Sequence, residues 1–74
     1  MWQEKDDTLA KEFKFIDFKS ALDFVNKVGD LAEKADHHPG IELGWGRVKI
    51  SLTTHSEGKI SDKDRNLAAK IDKL

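Results

Sequence analysis

Residues 9–35, LAKEFKFIDFKSALDFVNKVGDLAEKA, contain the change of hydrophobic period that decides the fold. In the first part Phe13 and Phe15 alternate with charged residues, which is typical of a strand with one face toward a core. From Phe18 onward apolar residues recur every three or four positions, which predicts one amphipathic helix of about eighteen residues. Its apolar stripe consists of Phe18, Ala21, Leu22, Val25, Val28, Leu31, Ala32 and Ala35.

The segments next to this stretch indicate where its strand and helix begin and end. Residues 2–5 predict a short first strand, and Asp6-Asp7 supply turn residues before the second strand, at about 9–15. Asp17 is a candidate N-cap for the helix. Pro39-Gly40 is predicted to end the helix, because proline disfavours helical backbone in the residue before it.

The rest of the chain predicts a second hairpin and a second helix. Apolar residues alternate over 41–45 and again over 48–52, on a return strand that runs to about Thr54, and Gly46-Arg47 suits the two-residue turn between the strands. Residues 61–64, SDKD, match a capping box with serine at the N-cap and a carboxylate three residues later. The predicted helix after it carries its apolar residues on one side.

The predicted element order is ββαββα, and it favours a particular fold class. Two hairpins with alternating faces and two amphipathic helices predict an α+β two-layer sandwich, with a four-stranded antiparallel sheet and helices on one face. The 74 residues are expected to form one domain, 1–74. A hydrophobic fraction of 38% beside 36% charged residues suits a folded globular domain.

Composition excludes several classes of function. The formal net charge of −1 gives no electrostatic basis for direct nucleic-acid binding. No apolar run approaches the ~20 residues of a membrane span. The absence of cysteine excludes disulfide scaffolds and thiolate metal sites, so a cytoplasmic protein is expected. A thin core without such links makes oligomerisation a reasonable source of stability.

All three histidines lie near the ends of predicted elements. His37 and His38 lie between the first helix and the second hairpin, and His55 follows the return strand of that hairpin. Hairpin pairing places the start of one strand beside the end of the other, so the three imidazoles are expected to come close together. Imidazole exchanges protons near neutrality, which suits general acid–base catalysis. Glu33, four residues before His37 on the helix, is a candidate to orient that ring.

Each of these residues also has a simpler structural explanation. His37-His38-Pro39 is compatible with a helix C-terminus, where histidine is favourable and proline stops the helix. The carboxylate of Asp64 suits a helix-capping position, and Trp45 suits a place in the core or an interface. Glu33 suits a solvent-exposed position on the helix. A zinc site is not favoured, because adjacent histidines rarely aim both rings at one ion and no His-x-x-x-His pair exists.

Beyond these inferences, the residues resemble a known family, the pterin-4a-carbinolamine dehydratases or dimerisation cofactors. The family signature is matched by Glu33, His37-His38-Pro39, Trp45, His55 and Asp64 at the expected spacing. The surrounding pattern is also similar, and the resemblance spans Trp2 to Ile71. Supporting segments are Phe13-Lys14-Phe15-Ile16-Asp17-Phe18, Thr53-Thr54-His55, Gly58-Lys59-Ile60-Ser61 and Asn66-Leu67-Ala68.

The resemblance implies an activity and a set of site residues. These enzymes remove water from 4a-hydroxytetrahydropterin to give quinonoid dihydropterin, without a metal or organic cofactor, in the recycling of tetrahydropterin. By similarity, His37 and His55 are the acid and base, and His38 mainly holds the pterin with a share in proton transfer. The substrate-binding positions that match are His37, His38, Pro39, Thr54, His55, Ser56 and Glu57, with Glu33, Trp45 and Asp64 in support.

The resemblance also implies an assembly and an alternative role. Family members form dimers or tetramers through the sheet edge and a helix, so a homodimer or homotetramer is expected. They usually carry a further helix before the tryptophan, whereas this sequence begins at Met1-Trp2, so a short member without that helix is expected. Some relatives are dimerisation cofactors of a transcription factor, so the alternative is a non-catalytic module that binds a protein partner.

Overall fold

The computed structural model describes all 74 residues and contains one sheet and two helices. The elements are β1 (Gln3–Lys5), β2 (Thr8–Lys14), α1 (Phe18–Ala35), β3 (Gly40–Gly44), β4 (Arg47–Leu52) and α2 (Asp62–Ile71). The strands pair antiparallel in the order β1-β2-β4-β3. The predicted α+β fold and its ββαββα order are therefore confirmed.

The hydrophobic core lies between the sheet and the two helices. On β4 every second residue, Val48, Ile50 and Leu52, is completely buried. The remaining core residues are Leu9 on β2, Ala21, Phe24 and Val28 on α1, and Leu67, Ala68 and Ile71 on α2. Burying a large aliphatic or aromatic side chain contributes roughly 1.5–3 kcal/mol, so this contact fixes both helices on one face of the sheet.

The buried stripe of α1 is rotated relative to the predicted one. Phe24 was not in the predicted stripe, yet it packs on Phe13 and Phe15 with ring centroids 4.7 and 5.0 Å apart. Phe18 and Leu22 were predicted to face the core and are 45% and 38% exposed. Periodicity finds a wide apolar face but does not say which edge of it meets the sheet. Ring packing of Phe24 on Phe13 of β2 and on Phe15, just after β2, decides that.

The turn of the second hairpin lies at Trp45-Gly46, one residue before the predicted position. Gly44 and Arg47 are paired in the β3–β4 register, so Gly46-Arg47 was wrong as the turn. The Gly46 carbonyl accepts a hydrogen bond from the Phe15 N–H at 2.8 Å, and a Cβ at Gly46 would lie 2.8 Å from the Phe15 carbonyl oxygen. Glycine is therefore required for the close approach of two backbones, and Trp45 becomes an exposed turn residue.

The turn between β1 and β2 lies at the opposite end of the sheet from Trp45. Asp6 and Asp7 both have left-handed backbone, with φ of 52° and 60°, which matches the twist of a two-residue hairpin. The Thr53 hydroxyl donates to the Asp7 carbonyl at 2.7 Å. This bond attaches the turn to the segment that follows β4, where His55 lies.

Candidate active site

The three histidines line one cleft at the end of the sheet away from Trp45. The cleft measures about 300 Å³ and is named here the histidine cleft. It lies between the segment that follows α1, the segment that follows β4, and the start of α2. Its lining residues are Asp36, His37, His38, Thr53, Thr54, His55, Ser56 and Lys63.

A larger hollow of about 480 Å³ lies near β1 and the open face of the sheet. It is lined mainly by charged residues and contains no histidine. On that face Lys14 and Arg47 contact Glu12 at 2.7 and 3.0 Å and hold the pKa of its carboxyl below the ordinary value. Because this hollow contains no histidine and its Glu12 and Arg47 already pair, the smaller histidine cleft is the better candidate for chemistry.

The position of His37 follows from how α1 ends. Asp36 adopts left-handed backbone with φ of 50°, so α1 ends at Ala35, and the predicted length of about eighteen residues is confirmed. Pro39 lies three residues beyond Asp36. The Asp36 N–H donates to the Glu33 carbonyl at 3.2 Å and the His37 N–H donates to the Ala32 carbonyl at 3.1 Å. These two bonds form a Schellman motif, which turns the chain sharply out of the helix. His37 is therefore fixed by backbone bonds and is no longer on the helix surface.

Asp64 contacts the His37 ring from the start of α2, where its side chain is buried behind the cleft. It is the N3 residue of α2, and its Oδ2 accepts from the Ser61 N–H at 2.9 Å, which completes the predicted capping box. The same oxygen accepts from the Thr54 hydroxyl at 2.8 Å, while Oδ1 pairs with Nε2 of His37. The side chain of Asp64 is completely buried, and that of His37 is 13% exposed. Asp64 is therefore both a helix cap and the partner of a histidine.

Burial and hydrogen bonding act in opposite directions on the Asp64 carboxyl. Burial disfavours its charged form, but hydrogen bonds from His37, from the Ser61 backbone and from Thr54 together outweigh it. The result is a pKa below the ordinary value, so Asp64 is ionised near neutrality. An ionised carboxylate only accepts hydrogen bonds, so His37 must carry a proton on Nε2.

His38 forms a second, exposed imidazole–carboxylate pair. Its Nε2 lies 2.5 Å from Oε2 of Glu33, and the two side chains are 59% and 76% exposed. The prediction that Glu33 orients His37 was wrong. Because α1 ends at Asp36, it is His38 that lies beside Glu33.

His55 lies in a tight turn on the third side of the cleft. The Glu57 N–H donates to the Thr54 carbonyl at 3.0 Å, and the Gly58 N–H donates to the His55 carbonyl at 3.2 Å. Gly58 has φ of 64°, so the glycine supplies the left-handed backbone that this turn needs. The His55 side chain is exposed.

Comparisons with known proteins identify the family of the chain. The family model described as Pterin 4 alpha carbinolamine dehydratase matches residues 1–74. The chain belongs to this family. Two curated relatives, both named "Putative pterin-4-alpha-carbinolamine dehydratase", are 45% identical over 73 residues (Picosynechococcus sp.) and 46% identical over 74 residues (Rubrobacter xylanophilus). Each match covers 99% of this chain, and 79% and 69% of the respective relative.

Two solved structures are similar to this dehydratase-family fold. A transcriptional coactivator/pterin dehydratase from Brucella melitensis is 37% identical with a TM-score of 0.91, over 96% of this chain and 78% of that one. A pterin dehydratase-like protein identified as a RuBisCO assembly factor in the alpha-carboxysome is 27% identical with a TM-score of 0.78, over 97% and 83%. The same fold therefore occurs in proteins with differently described roles.

The other site residues suggested by the family resemblance do not all reach the cleft. Ser56 lines it, and so does Thr54, but the Thr54 side chain is 3% exposed and hydrogen-bonded to Asp64. Glu57 lines a neighbouring groove, and Pro39 is half-buried beside His38 in the chain. Trp45 lies at the far end of the sheet and is 73% exposed, so it has no part in the cleft.

Sequence reasoning missed three lining residues of the cleft. Asp36 is recognisable only as the residue before His37, and its left-handed backbone has no strong sequence signal. Thr53 lies beside Thr54, and Lys63 lies inside the capping box that was recognised for its cap alone. No three of the acidic and histidine side chains group in an arrangement suited to a metal ion. Neither helix is long and apolar enough to cross a membrane.

Proposed function

We propose that this chain dehydrates a 4a-hydroxytetrahydropterin to quinonoid dihydropterin, in the recycling of tetrahydropterin. The observation that carries the proposal is the convergence of His37, His38 and His55 on one cleft of about 300 Å³. Membership of the dehydratase family supplies the substrate class. The reaction takes place within the substrate and transfers only protons to and from the protein.

The chemistry requires one proton donor and one proton acceptor. The acid gives a proton to the 4a-hydroxyl oxygen, the C4a–O bond breaks, and its electron pair leaves with water. The base removes the proton from N5, and the electrons of that N–H bond form the C4a=N5 double bond. The products are water and quinonoid dihydropterin. A positioned acid or base typically contributes 10²- to 10⁴-fold to such a step.

We assign the base role to His37. Its Nε2–H is held by the ionised Asp64, so in the neutral ring Nδ1 carries the lone pair that accepts a proton. When the proton arrives, the buried carboxylate of Asp64 stabilises the imidazolium that forms, as the aspartate of a Ser-His-Asp triad does. Asp64 therefore positions and stabilises His37 and does not itself exchange a proton.

His55 supplies the acid, and His38 holds the substrate at the mouth of the cleft. His55 is exposed and can exchange its proton with water between turnovers. His38 is held by Glu33 and lies beside Pro39, so it suits contact with the pterin ring and a share in proton transfer. The turn with His55 and Ser56 is proposed to line the opposite side of the pterin. No metal or organic cofactor is required.

A stopped-flow absorbance assay with synthetic 4a-hydroxytetrahydropterin tests this proposal. We expect the wild-type chain to accelerate dehydration above the spontaneous rate in the same buffer, and His55→Ala to lose about 10²-fold or more of that acceleration. Equal rates with and without wild-type protein would refute the activity. Equal rates for wild type and His55→Ala would refute the role of that histidine.

A second candidate function is a non-catalytic module that assembles with protein chains. It is favoured by the exposed apolar residues at the end of the sheet opposite the cleft, where Trp45 is 73% and Ile16 is 84% exposed. The solved relatives described as a transcriptional coactivator and as an assembly factor support this candidate. A homodimer or homotetramer, in the cytoplasm, is compatible with both functions.

Sedimentation equilibrium beside the dehydration assay separates the two candidates. An assembling module is expected to form oligomers that Trp45→Asp weakens, with no turnover by the wild-type chain. An enzyme is expected to turn over pterin whether or not Trp45→Asp changes its mass. A monomeric wild-type chain with full turnover would leave the second candidate without support.

A further inference from the structure

A chain of two hydroxyl groups, buried at Thr54 and half-buried at Ser61, lies behind the His37–Asp64 pair. Oγ of Ser61 lies 2.6 Å from Oγ1 of Thr54, which in turn lies 2.8 Å from Oδ2 of Asp64. Thr54 is 3% exposed and Asp64 is completely buried, and no buried side-chain polar atom lacks a hydrogen-bond partner. The hydroxyl of Thr54 is thus enclosed by protein groups, although its residue lines the cleft.

The direction of each hydrogen bond in this chain is fixed by chemistry. Ionised Asp64 can only accept, so the single hydroxyl proton of Thr54 is donated to it. Thr54 then has only lone pairs left for Ser61, so Ser61 donates to Thr54. The Ser61 oxygen in turn accepts from the Lys63 N–H in the first turn of α2, at 3.3 Å. A directional chain of this kind polarises each bond in it and strengthens the last one.

We propose that Thr54 is a positioning residue, whose hydroxyl holds Asp64 against His37 and does not contact the substrate. This inference rests on the proposed function, and it revises the substrate-binding role that the family resemblance implied for Thr54. The two oxygens of Asp64 have different tasks. Oδ1 faces His37, while Oδ2 is held by the Ser61 N–H and the Thr54 hydroxyl. Removing the hydroxyl removes one of two bonds that prevent the carboxylate from rotating.

The Thr54 hydroxyl also helps to keep Asp64 charged. It is one of the donors that hold the pKa of Asp64 below the ordinary value against the effect of burial. Loss of this donor should raise the pKa of Asp64. The groups that face Asp64 directly are His37 from the segment after α1, Thr54 from the segment after β4, and Ser61 from the cap of α2. The other titratable groups that line the cleft are Asp36, His38, His55 and Lys63.

Three variants and two measurements test the inference. Thr54→Val removes the hydroxyl at nearly constant shape, and Thr54→Ser restores a hydroxyl. Thr8→Val makes the same change at the β1–β2 turn and serves as the matched control. Steady-state dehydration gives kcat and KM, and carboxyl ¹³C NMR follows the titration of Asp64 without any substrate.

We expect Thr54→Val to lower kcat about ten-fold, the rate equivalent of one hydrogen bond to a charged group, with KM changed less than about two-fold. Its Asp64 carboxyl should titrate at higher pH than in wild type. Thr54→Ser should restore both properties, and Thr8→Val should change neither. A raised KM at constant kcat would mean that the hydroxyl contacts the substrate and would overturn the proposal. An unchanged Asp64 titration would overturn it as well.

The NMR titration separates failure of this inference from failure of the proposed function. A wild-type chain without turnover refutes the dehydratase, whereas the Asp64 titration still tests whether Thr54 supports that carboxylate. If Thr54→Val does not fold, the exchange rate of the Thr54 hydroxyl proton in wild type decides. If the hydroxyl proton exchanges slowly with water, and adding pterin does not change its rate, Thr54 is a positioning residue. Slow exchange that appears only with pterin indicates direct contact with the substrate and contradicts it.

Discussion

Two histidines of the cleft, His37 and His38, each pair with a carboxylate, and the two pairs differ in how far they are exposed to water. The inner pair joins His37 to Asp64, whose side chains are 13% and 0% exposed. The outer pair joins His38 to Glu33, whose side chains are 59% and 76% exposed. Both are contacts of Nε2 with a carboxylate oxygen.

The difference between the pairs lies in what surrounds the carboxylate. Asp64 accepts from Ser61 and Thr54 as well as from His37, so its orientation and charge are fixed before any substrate binds. Glu33 is on the surface of α1, where water competes for its oxygens and salt screens its charge. Burial with full hydrogen bonding therefore makes the inner pair suited to proton transfer, and exposure makes the outer pair suited to contact with a ligand.

The largest expected effect comes from removing one imidazole of each pair in turn. His37→Ala should lower kcat about 10²- to 10⁴-fold, since it removes the proposed base. His38→Ala should act mainly on KM, because its ring is proposed to hold the substrate. Steady-state dehydration kinetics measure both variants, with circular dichroism to verify folding. A larger loss of kcat from His38→Ala than from His37→Ala would reverse the assignment.

The next effect is on stability. Asp64→Ala removes the N3 carboxylate of the capping box and leaves the Thr54 hydroxyl and the Ser61 N–H without their acceptor. Loss of the cap and the buried unsatisfied donors should together cost about 2–4 kcal/mol of unfolding free energy. Urea unfolding followed by circular dichroism measures this cost. Glu33→Ala, on the surface, is the control and should change the midpoint far less.

Acid should weaken the fold through the inner carboxylate. The pKa of Asp64 is lower in the folded chain than the value of about 3.9 in an unfolded one. Its contribution to stability is therefore fully present above about pH 4 and is lost as the pH falls through the folded pKa. Asp72 acts in the same sense, because Lys11 and Trp2 outweigh its burial and lower its pKa.

Urea midpoints between pH 5 and pH 2 measure this acid sensitivity. The wild-type midpoint should fall across the range. The midpoint of Asp64→Asn should fall less steeply, because an amide at position 64 takes up no proton as the pH falls. Parallel curves for the two proteins would contradict the contribution of Asp64.

The smallest effect is expected from the outer carboxylate. Glu33→Gln keeps the length of the side chain and a hydrogen-bond acceptor, and exposed ion pairs contribute little. We expect kcat/KM to change by about five-fold at most, with less change at high salt. A larger loss, comparable with that of His37→Ala, would show that exposure is a poor guide to the roles of the two pairs.

Much of the fold was predictable because local signals agree with tertiary packing. The change of period near Phe18, the N-cap at Asp17 and the capping box at 61–64 each marked a boundary that the structure contains. The turn at Trp45-Gly46 was not predictable from turn preferences, because a contact with the Phe15 backbone decides it. The orientation of α1 depended on ring packing by Phe24, which periodicity does not encode.

The site was predictable as a group of residues and not as a set of contacts. Hairpin geometry indicates that His55 lies near His37 and His38. The pairing of His37 with Asp64 joins residues 27 apart and depends on where α2 packs. The expected contact of Glu33 with His37 assumed that His37 lies on the same helix face as Glu33, and the left-handed Asp36 turns the chain away before His37. The left-handed backbone of Asp36 thus decides that His37 contacts Asp64 and that His38 contacts Glu33.

The most direct test compares Asp64→Asn with Glu33→Gln in one stopped-flow experiment. Each variant exchanges one carboxylate for an amide of the same shape, so only charge and hydrogen bonding change. We predict that Asp64→Asn lowers the single-turnover dehydration rate about 10²-fold or more, because the amide favours the wrong tautomer of His37. Glu33→Gln should stay within about five-fold of wild type. Equal losses in the two variants, or a larger loss in Glu33→Gln, would contradict the central claim that the buried pair carries the chemistry.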